Sequence, residues 1–199
     1  MRLSILIPSL PDRDSQNYLR RLVNILQPQI NHRSNEVELV INNEPRNIPT
    51  GTKRNMLIDK STGEYFCMID CDDLVPIYYV DEMLQAISSN PDVVTFKGYM
   101  TTGGLNRVNF IIKLGEKYEE RQGMYFRWPN HLCAFRKELV HHVKFEPIWQ
   151  QEDYKWSKRI NDMKLLKSEI HINKDLYHYD FKVKTPTHGS VVSRRSRLR

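Results

Sequence analysis

The segment Glu64-Tyr65-Phe66-Cys67-Met68-Ile69-Asp70-Cys71-Asp72-Asp73 restricts the possible folds more than any other. Its apolar run is short and unalternating, and three carboxylates follow it within four positions. A strand of this kind is buried on both faces, and such strands belong to parallel sheets covered by helices. Open parallel sheets bind ligands beyond the carboxyl ends of their strands, which is where the acidic cluster falls. If the extended path continues, Asp70 and Asp72 project to one side, because side chains alternate along a strand. Two converging carboxylates suit a hard divalent cation, Mg²⁺ or Mn²⁺. A plainer reading is also open: Asp72 and Asp73 begin a turn and cap a helix that Pro76 starts.

The preceding segments extend the same plan. Residues 3–7 read as a strand stopped by Pro8 and a polar loop. Ser15 can cap a helix with Leu19, Leu22, Val23 and Leu26 on one face, which Pro28 ends. Residues 36–41 read as a second strand, with Asn42-Asn43-Glu44-Pro45 as the loop at its end. A β-α-β unit of this kind builds a parallel sheet. Thr52 is a good N-cap for a helix through Met56, Leu57 and Ile58, closed by Gly63. Lys53 and Arg54 then occupy the first turn, where the helix dipole disfavours cations by a few tenths of a kcal/mol. An anion held between them and the free N–H groups, a phosphate above all, makes sense of that placement. Two solvated surface cations are the other reading. No Walker loop and no dinucleotide-binding glycine fingerprint occurs, which removes those two nucleotide folds.

Beyond the acidic strand, residues 76–88 read as a helix with Tyr79, Met83 and Ile87 on one face. Residues 93–99 and 107–113 are β-rich and flank a hairpin turn at 101–106. Residues 114–130 are polar and mixed in charge, and read as a loop over the site. Residues 131–136 suit another strand. Trp149-Gln150-Gln151-Glu152-Asp153 leads into a helix with Trp156, Ile160 and Met163 on one face, and residues 176–181 form a late strand.

A chain of 199 residues suits one domain, with room for about six strands and helices on both faces. The expected class is α/β, a Rossmann-like mostly parallel sheet over residues 1–190, with a basic tail at 191–199. The formal charge is +6, and Arg194, Arg195, Arg197 and Arg199 account for four of it, leaving +2 elsewhere (6 − 4). Such a tail either touches phosphates or is a solvated end. Cys67, Cys71 and Cys133 have no zinc-like spacing and read as reduced thiols. Residues 3–7 are too short for a signal peptide and no run suits a membrane span, so a cytoplasmic protein is expected.

Five motifs, in order, carry a resemblance to family 2 glycosyltransferases with the GT-A fold. They are Ile5-Leu6-Ile7-Pro8-Ser9; Gly51-x-Lys53-Arg54-Asn55; Gly63-Glu64-Tyr65 running into Asp70-Cys71-Asp72-Asp73; Glu152-Asp153 at a helix start; and Tyr177-His178-Tyr179. The resemblance implies that Asp70, Asp72 and Asp73 hold a divalent metal, Mn²⁺ or Mg²⁺, on a nucleotide-sugar donor, with His178 as a further ligand and His188 its rival. It implies Lys53 and Arg54 on the diphosphate, Pro8 and Ser9 beside the nucleoside, and Asn55 and Cys71 in the same donor site. It further implies Asp153 as general base in an inverting transfer, with Glu152 beside it as a second catalytic residue. Many relatives carry an aspartate on the donor base where this chain has Asn42-Asn43; an amide can donate and accept, so UDP is the first expectation and other bases remain open. The acceptor site falls between residues 97 and 149, with Trp128, Asn130 and His131. A hydroxylated base in DNA, as some bacteriophages make, fits the basic tail, and a lipid-linked or surface glycan fits as well. Two other classes use the same residues: a nucleotidyltransferase or metal-dependent nuclease, and a nucleic-acid-binding module that leaves the carboxylates idle.

Overall fold

Every residue of β1 (Leu3–Pro8) and of β3 (Tyr65–Met68) is buried, as two mainly apolar runs require, and Ser4 within β1 is buried with its hydroxyl bonded to Glu38 (2.6 Å). In this computed structural model, which describes residues 1–181, β1 lies between β2 (Val37–Asn42) and β3, parallel to both. His188 and the four tail arginines lie outside the described residues. Ile5 pairs with Leu39 on one side and Cys67 on the other. That register brings Ser9, Asn42 and Asp70 to the same end of the sheet.

The remaining strands are β4 (Val93–Thr102), β5 (Leu105–Ile112), β6 (Glu119–Arg121), β7 (Met124–Arg127), β8 (Ala134–Arg136) and β9 (Glu169–Phe181). Among the described residues nine strands join one sheet in the order β2-β1-β3-β8-β4-β5-β7-β6, with β9 parallel to β4. Antiparallel pairing enters at β8, so the segment leading into β8 starts at the end where β1 and β3 finish. The Met68 N–H donates to the His131 carbonyl (3.1 Å) at that point. The expected α/β plan is therefore present.

Helices cover both faces. α1 (Arg13–Asn31) packs against α3 (Tyr79–Ile87), while α2 (Thr50–Lys60) packs on β1 and β2 and against α5 (Glu152–Asp162). A short α4 (Lys137–Val140) follows β8. Several boundaries differ from the sequence expectation for identifiable reasons. Asp12, not Ser15, caps α1, accepting the Ser15 N–H at 3.0 Å. Pro28 lies inside that helix, which runs one turn further because Ile30 extends the buried row of Leu19, Leu22 and Leu26. Gln29 secures the turn: its amide donates to the carbonyls of Ile25 (2.8 Å) and Pro76 (3.2 Å), and its oxygen accepts the Val80 N–H (3.0 Å). The last bond satisfies a donor at the start of α3, which begins at Tyr79 and not at Pro76. Residues 114–130 hold the β6–β7 hairpin, turned by Gln122 and Gly123 with φ of 52° and 73°, the left-handed pair that a two-residue turn needs. Met163 ends α5 and is exposed, outside the face formed by Trp156 and Ile160.

α2 begins at Thr50, two residues before the expected cap. Gly51 explains the shift: its N–H donates to the Ile148 carbonyl (3.2 Å), and a Cβ there would stand 1.8 Å from the Glu146 carbonyl oxygen. Only glycine lets the helix start press on the 146–148 segment that leads to α5. Gly51→Ala is expected to destabilise the protein by about 1–3 kcal/mol, the usual cost of forced overpacking, as read by chemical denaturation.

Candidate active site

The acidic segment leaves the sheet as a tight turn. The Asp73 N–H donates to the Asp70 carbonyl (3.0 Å), so strand alternation stops before Asp70 and does not pair Asp70 with Asp72. Asp73 turns inward and is 1% exposed. Its two oxygens accept the Tyr177 hydroxyl (2.7 Å) and the Asp180 N–H (3.0 Å), both from β9. Tyr177 also accepts the Asp70 N–H (3.1 Å), so one phenol ties the turn to the last strand. Burial and the charges of Asp70 and Asp72 push Asp73 upward, and these two hydrogen bonds oppose the shift. Asp73 thus anchors the turn and is not free to serve as a metal ligand. Arg21 of α1 braces the outside, donating to the Asp72 carbonyl (2.9 Å).

Arg54, 4% exposed, sits at the centre of a ring of acids. Its Nη2 meets Asp70 Oδ1 at 2.9 Å and its Nε meets Glu152 Oε1 at 3.2 Å. Burial raises Asp70, but Arg54, aided by His131, more than offsets this and holds the carboxyl well below the usual range. Burial raises Glu152, with Arg54 opposing. His131, 5% exposed, completes the ring: Nε2 lies 3.6 Å from Asp70 Oδ2 and Nδ1 lies 3.7 Å from Asp153 Oδ2. Asp153 itself is open, with 41% of its side chain exposed. Arg54, Asp70, His131, Glu152 and Asp153 therefore form one connected site, drawn from α2, the β3 end, the approach to β8 and the α5 start.

Other residues expected in the donor site have protein partners. Lys53 is buried, and its ammonium donates to the carbonyls of Ser9 (3.2 Å) and Glu44; burial lowers its affinity for a proton. With α2 starting at Thr50, Lys53 closes the first turn and Arg54 lies just beyond it, and the two cations turn to loop carbonyls and to Asp70 and Glu152. The Asn55 amide exchanges two hydrogen bonds with the Phe145 backbone, at 2.9 and 2.8 Å, which makes it part of the scaffold. Asn42 is buried and its oxygen accepts the Glu44 N–H (3.0 Å). Asn43 is exposed and accepts from Gln16 (2.8 Å). Pro8 and Ser9 are buried at the end of β1. Burial pushes the Cys71 thiol up to about 12, leaving it a neutral filler in the turn.

His178 pairs through its backbone with Leu74, beside the acidic turn. Its Nε2 pairs with Thr101 Oγ1 (2.7 Å) and its ring stacks on Tyr99, at 4.5 Å between centroids. Among the described residues no group of three His, Cys, Asp or Glu side chains is arranged to hold a metal. Asp70, although bonded to Arg54, keeps 29% of its side chain exposed at the sheet end. Trp128 stands with Tyr118 and Tyr154 in a three-ring cluster, at centroid distances of 5.2, 5.2 and 5.9 Å. Tyr154 follows Asp153 on α5, so the cluster borders the open carboxylate. Asn130 Oδ1 accepts the Leu132 N–H (3.1 Å) and shapes the turn that carries His131. Sequence reasoning missed the anchoring role of Tyr177 and the cluster roles of Tyr118 and Tyr154; the tyrosine of the late motif was the one available signal.

The family model described as glycosyl transferase family 2 matches residues 20–171. Solved structures of S. aureus TarS share the fold. Its residues 1–349 align with a TM-score of 0.63 at 15% identity, over 90% of this chain and 60% of that one. The same fragment with UDP gives 0.64 at 15% identity over 90% and 60%, and with UDP-GlcNAc 0.63 at 14% over 97% and 62%. The chain thus spans about 60% of the TarS fragment. No curated protein matches its sequence.

Arg54→Met is expected to cost about 3 kcal/mol, because it leaves the buried Glu152 and the half-buried Asp70 without their cation. Denaturation monitored by circular dichroism measures it, and Arg54→Lys is expected to recover only part, having no planar fork to reach both acids.

Proposed function

The chain belongs to glycosyl transferase family 2, and from that premise we propose that it moves a sugar from a nucleoside-diphosphate donor to a hydroxyl acceptor, with inversion. The observation that carries the reading is the open carboxylate of Asp153, set one imidazole away from Asp70 at the end of the sheet. Asp153 takes the proton of the acceptor hydroxyl as its oxygen attacks the anomeric carbon, and the bond to the diphosphate breaks on the opposite side. Glu152, turned to Arg54 and 5% exposed, positions the cation and is not itself a base. The donor lies across the ends of β1, β2 and β3, near Ser9, Asn43 and Asp70. A UDP-sugar is the first donor to test, a choice supported by the UDP and UDP-GlcNAc complexes of TarS. Asp70 and Asp72 would hold Mn²⁺ or Mg²⁺ with the donor phosphates, and the cation would supply neutralisation of the leaving diphosphate.

The acceptor side is the aromatic cluster of Tyr118, Trp128 and Tyr154. These rings touch one another beside Asp153, and aromatic faces of this kind favour a saccharide ring stacked there. An anionic acceptor such as a hydroxymethylated DNA base is the second reading. The charge distribution favours it: residues 182–199 carry six of the 30 cations, so 1–181 balance at 24 against 24 acids (30 − 6 = 24).

Incubation with a panel of nucleotide sugars tests the class. Slow, metal-dependent release of nucleoside diphosphate is expected; pyrophosphate released from a nucleoside triphosphate and a sugar phosphate would instead support a nucleotidyltransferase. Asp153→Asn is expected to lower turnover by about 10² to 10⁴, the usual worth of a general base, with donor affinity little changed. A product that keeps the donor's anomeric configuration would refute the mechanism. In calorimetry, Asp72→Asn is expected to remove the dependence of nucleotide affinity on Mn²⁺; affinity that still rises with Mn²⁺ excludes Asp72 as a ligand.

A further inference from the structure

His131 has an environment that packing alone does not explain. Both ring nitrogens are buried and make no hydrogen bond, an arrangement that costs free energy in any folded protein. Each nitrogen nonetheless faces a carboxylate, Asp70 at 3.6 Å and Asp153 at 3.7 Å. The backbone holds the ring in place from several directions. The His131 carbonyl accepts the Met68 N–H (3.1 Å), while Asn130 accepts the N–H of Leu132 on its side chain (3.1 Å) and of Cys133 on its carbonyl (2.9 Å). Asp153 has the complementary deficit. Among the described residues its carboxylate accepts no hydrogen bond, and His131 is its only cationic or imidazole neighbour within 4.0 Å. Its neighbour Ser157 bonds the Asp153 carbonyl instead (2.6 Å).

We propose that His131 is the positioning residue of the reaction: Nδ1 engages Asp153 in the reacting complex, while the ring's other edge stays set against Asp70. One ring would then fix the distance between the base and the donor-side carboxylate. The gap to Asp153 closes to a hydrogen bond by less than about 1 Å, and catalytic hydrogen bonds commonly stand long before substrate binds. Misplacement of a reacting group by that amount is worth about 10²-fold in rate. This inference rests on Asp153 as the general base.

The test uses the full chain and His131→Phe, which keeps the ring's volume and removes both nitrogens. Turnover is expected to fall about 10²-fold, with the donor KM changed less and the melting temperature kept. In an Asp153→Asn background the same substitution is expected to change turnover by less than about twofold, since coupled residues do not add. His131→Asn, which restores an N–H near the position of Nδ1, is expected to regain part of the rate. Near-normal turnover of His131→Phe, or losses that multiply in the double variant, would overturn the proposal. Should His131→Phe fold poorly, His131→Gln is carried through the same cycle, with the same two outcomes deciding. Failure of Asp153→Asn to slow the enzyme would instead overturn the base itself, so the two failures remain distinct.

Discussion

A buried guanidinium cannot stand unaccompanied, and the placement of Arg54 imposes this condition on the whole site. Desolvating it is tolerable only with carboxylates at bonding distance, and the chain supplies them from positions 70 and 152, one after β3 and one opening α5. Holding both requires α2 to seat deeply against the 146–148 segment, which Gly51 permits. The end of β3 and the start of α5 are thereby locked to each other. A salt bridge of this type is a weak source of net stability but a strict determinant of geometry.

The acids around it divide between opposite environments. Asp70 is held ionised by Arg54, whereas burial and its neighbours push Asp73 the other way and β9 accepts it into the interior. Asp153 is left open to solvent. Four consecutive residues of one turn thus provide both an anchor and a charged edge, and Tyr177 joins the two by bonding Asp73 with its hydroxyl and receiving the Asp70 N–H.

The sheet core could be read from the chain because β1 and β3 are mainly apolar runs without polar alternation, and the Gly103-Gly104 turn of β4–β5 announces itself by residue type. The acids at the sheet end followed from the same logic. What could not be read was which partner each charge takes. Lys53 and Arg54 look alike in sequence, yet one clamps two loop carbonyls and the other binds two acids, a difference set by where α2 starts. Pro28 resembled a helix end because the gain from burying Ile30 and from the Gln29 bonds is tertiary. The β6–β7 hairpin escaped notice since a strand at a sheet margin, Glu119-Glu120-Arg121, needs no apolar alternation. Nor could the sequence tell that the His178 ring pairs with Thr101 and stacks on Tyr99.

That marginal hairpin has a consequence for how such a protein can diversify. Among the described residues β6 bonds only to β7, and its three charged residues deter another chain from extending the sheet there. Tyr118 and Trp128 lie at its two roots. Insertions or replacements in the hairpin can therefore remodel the wall beside Asp153 while Arg54 and its acids, anchored elsewhere, stay as they are. Evolution can vary that wall as a replaceable module and inherit the charged centre intact.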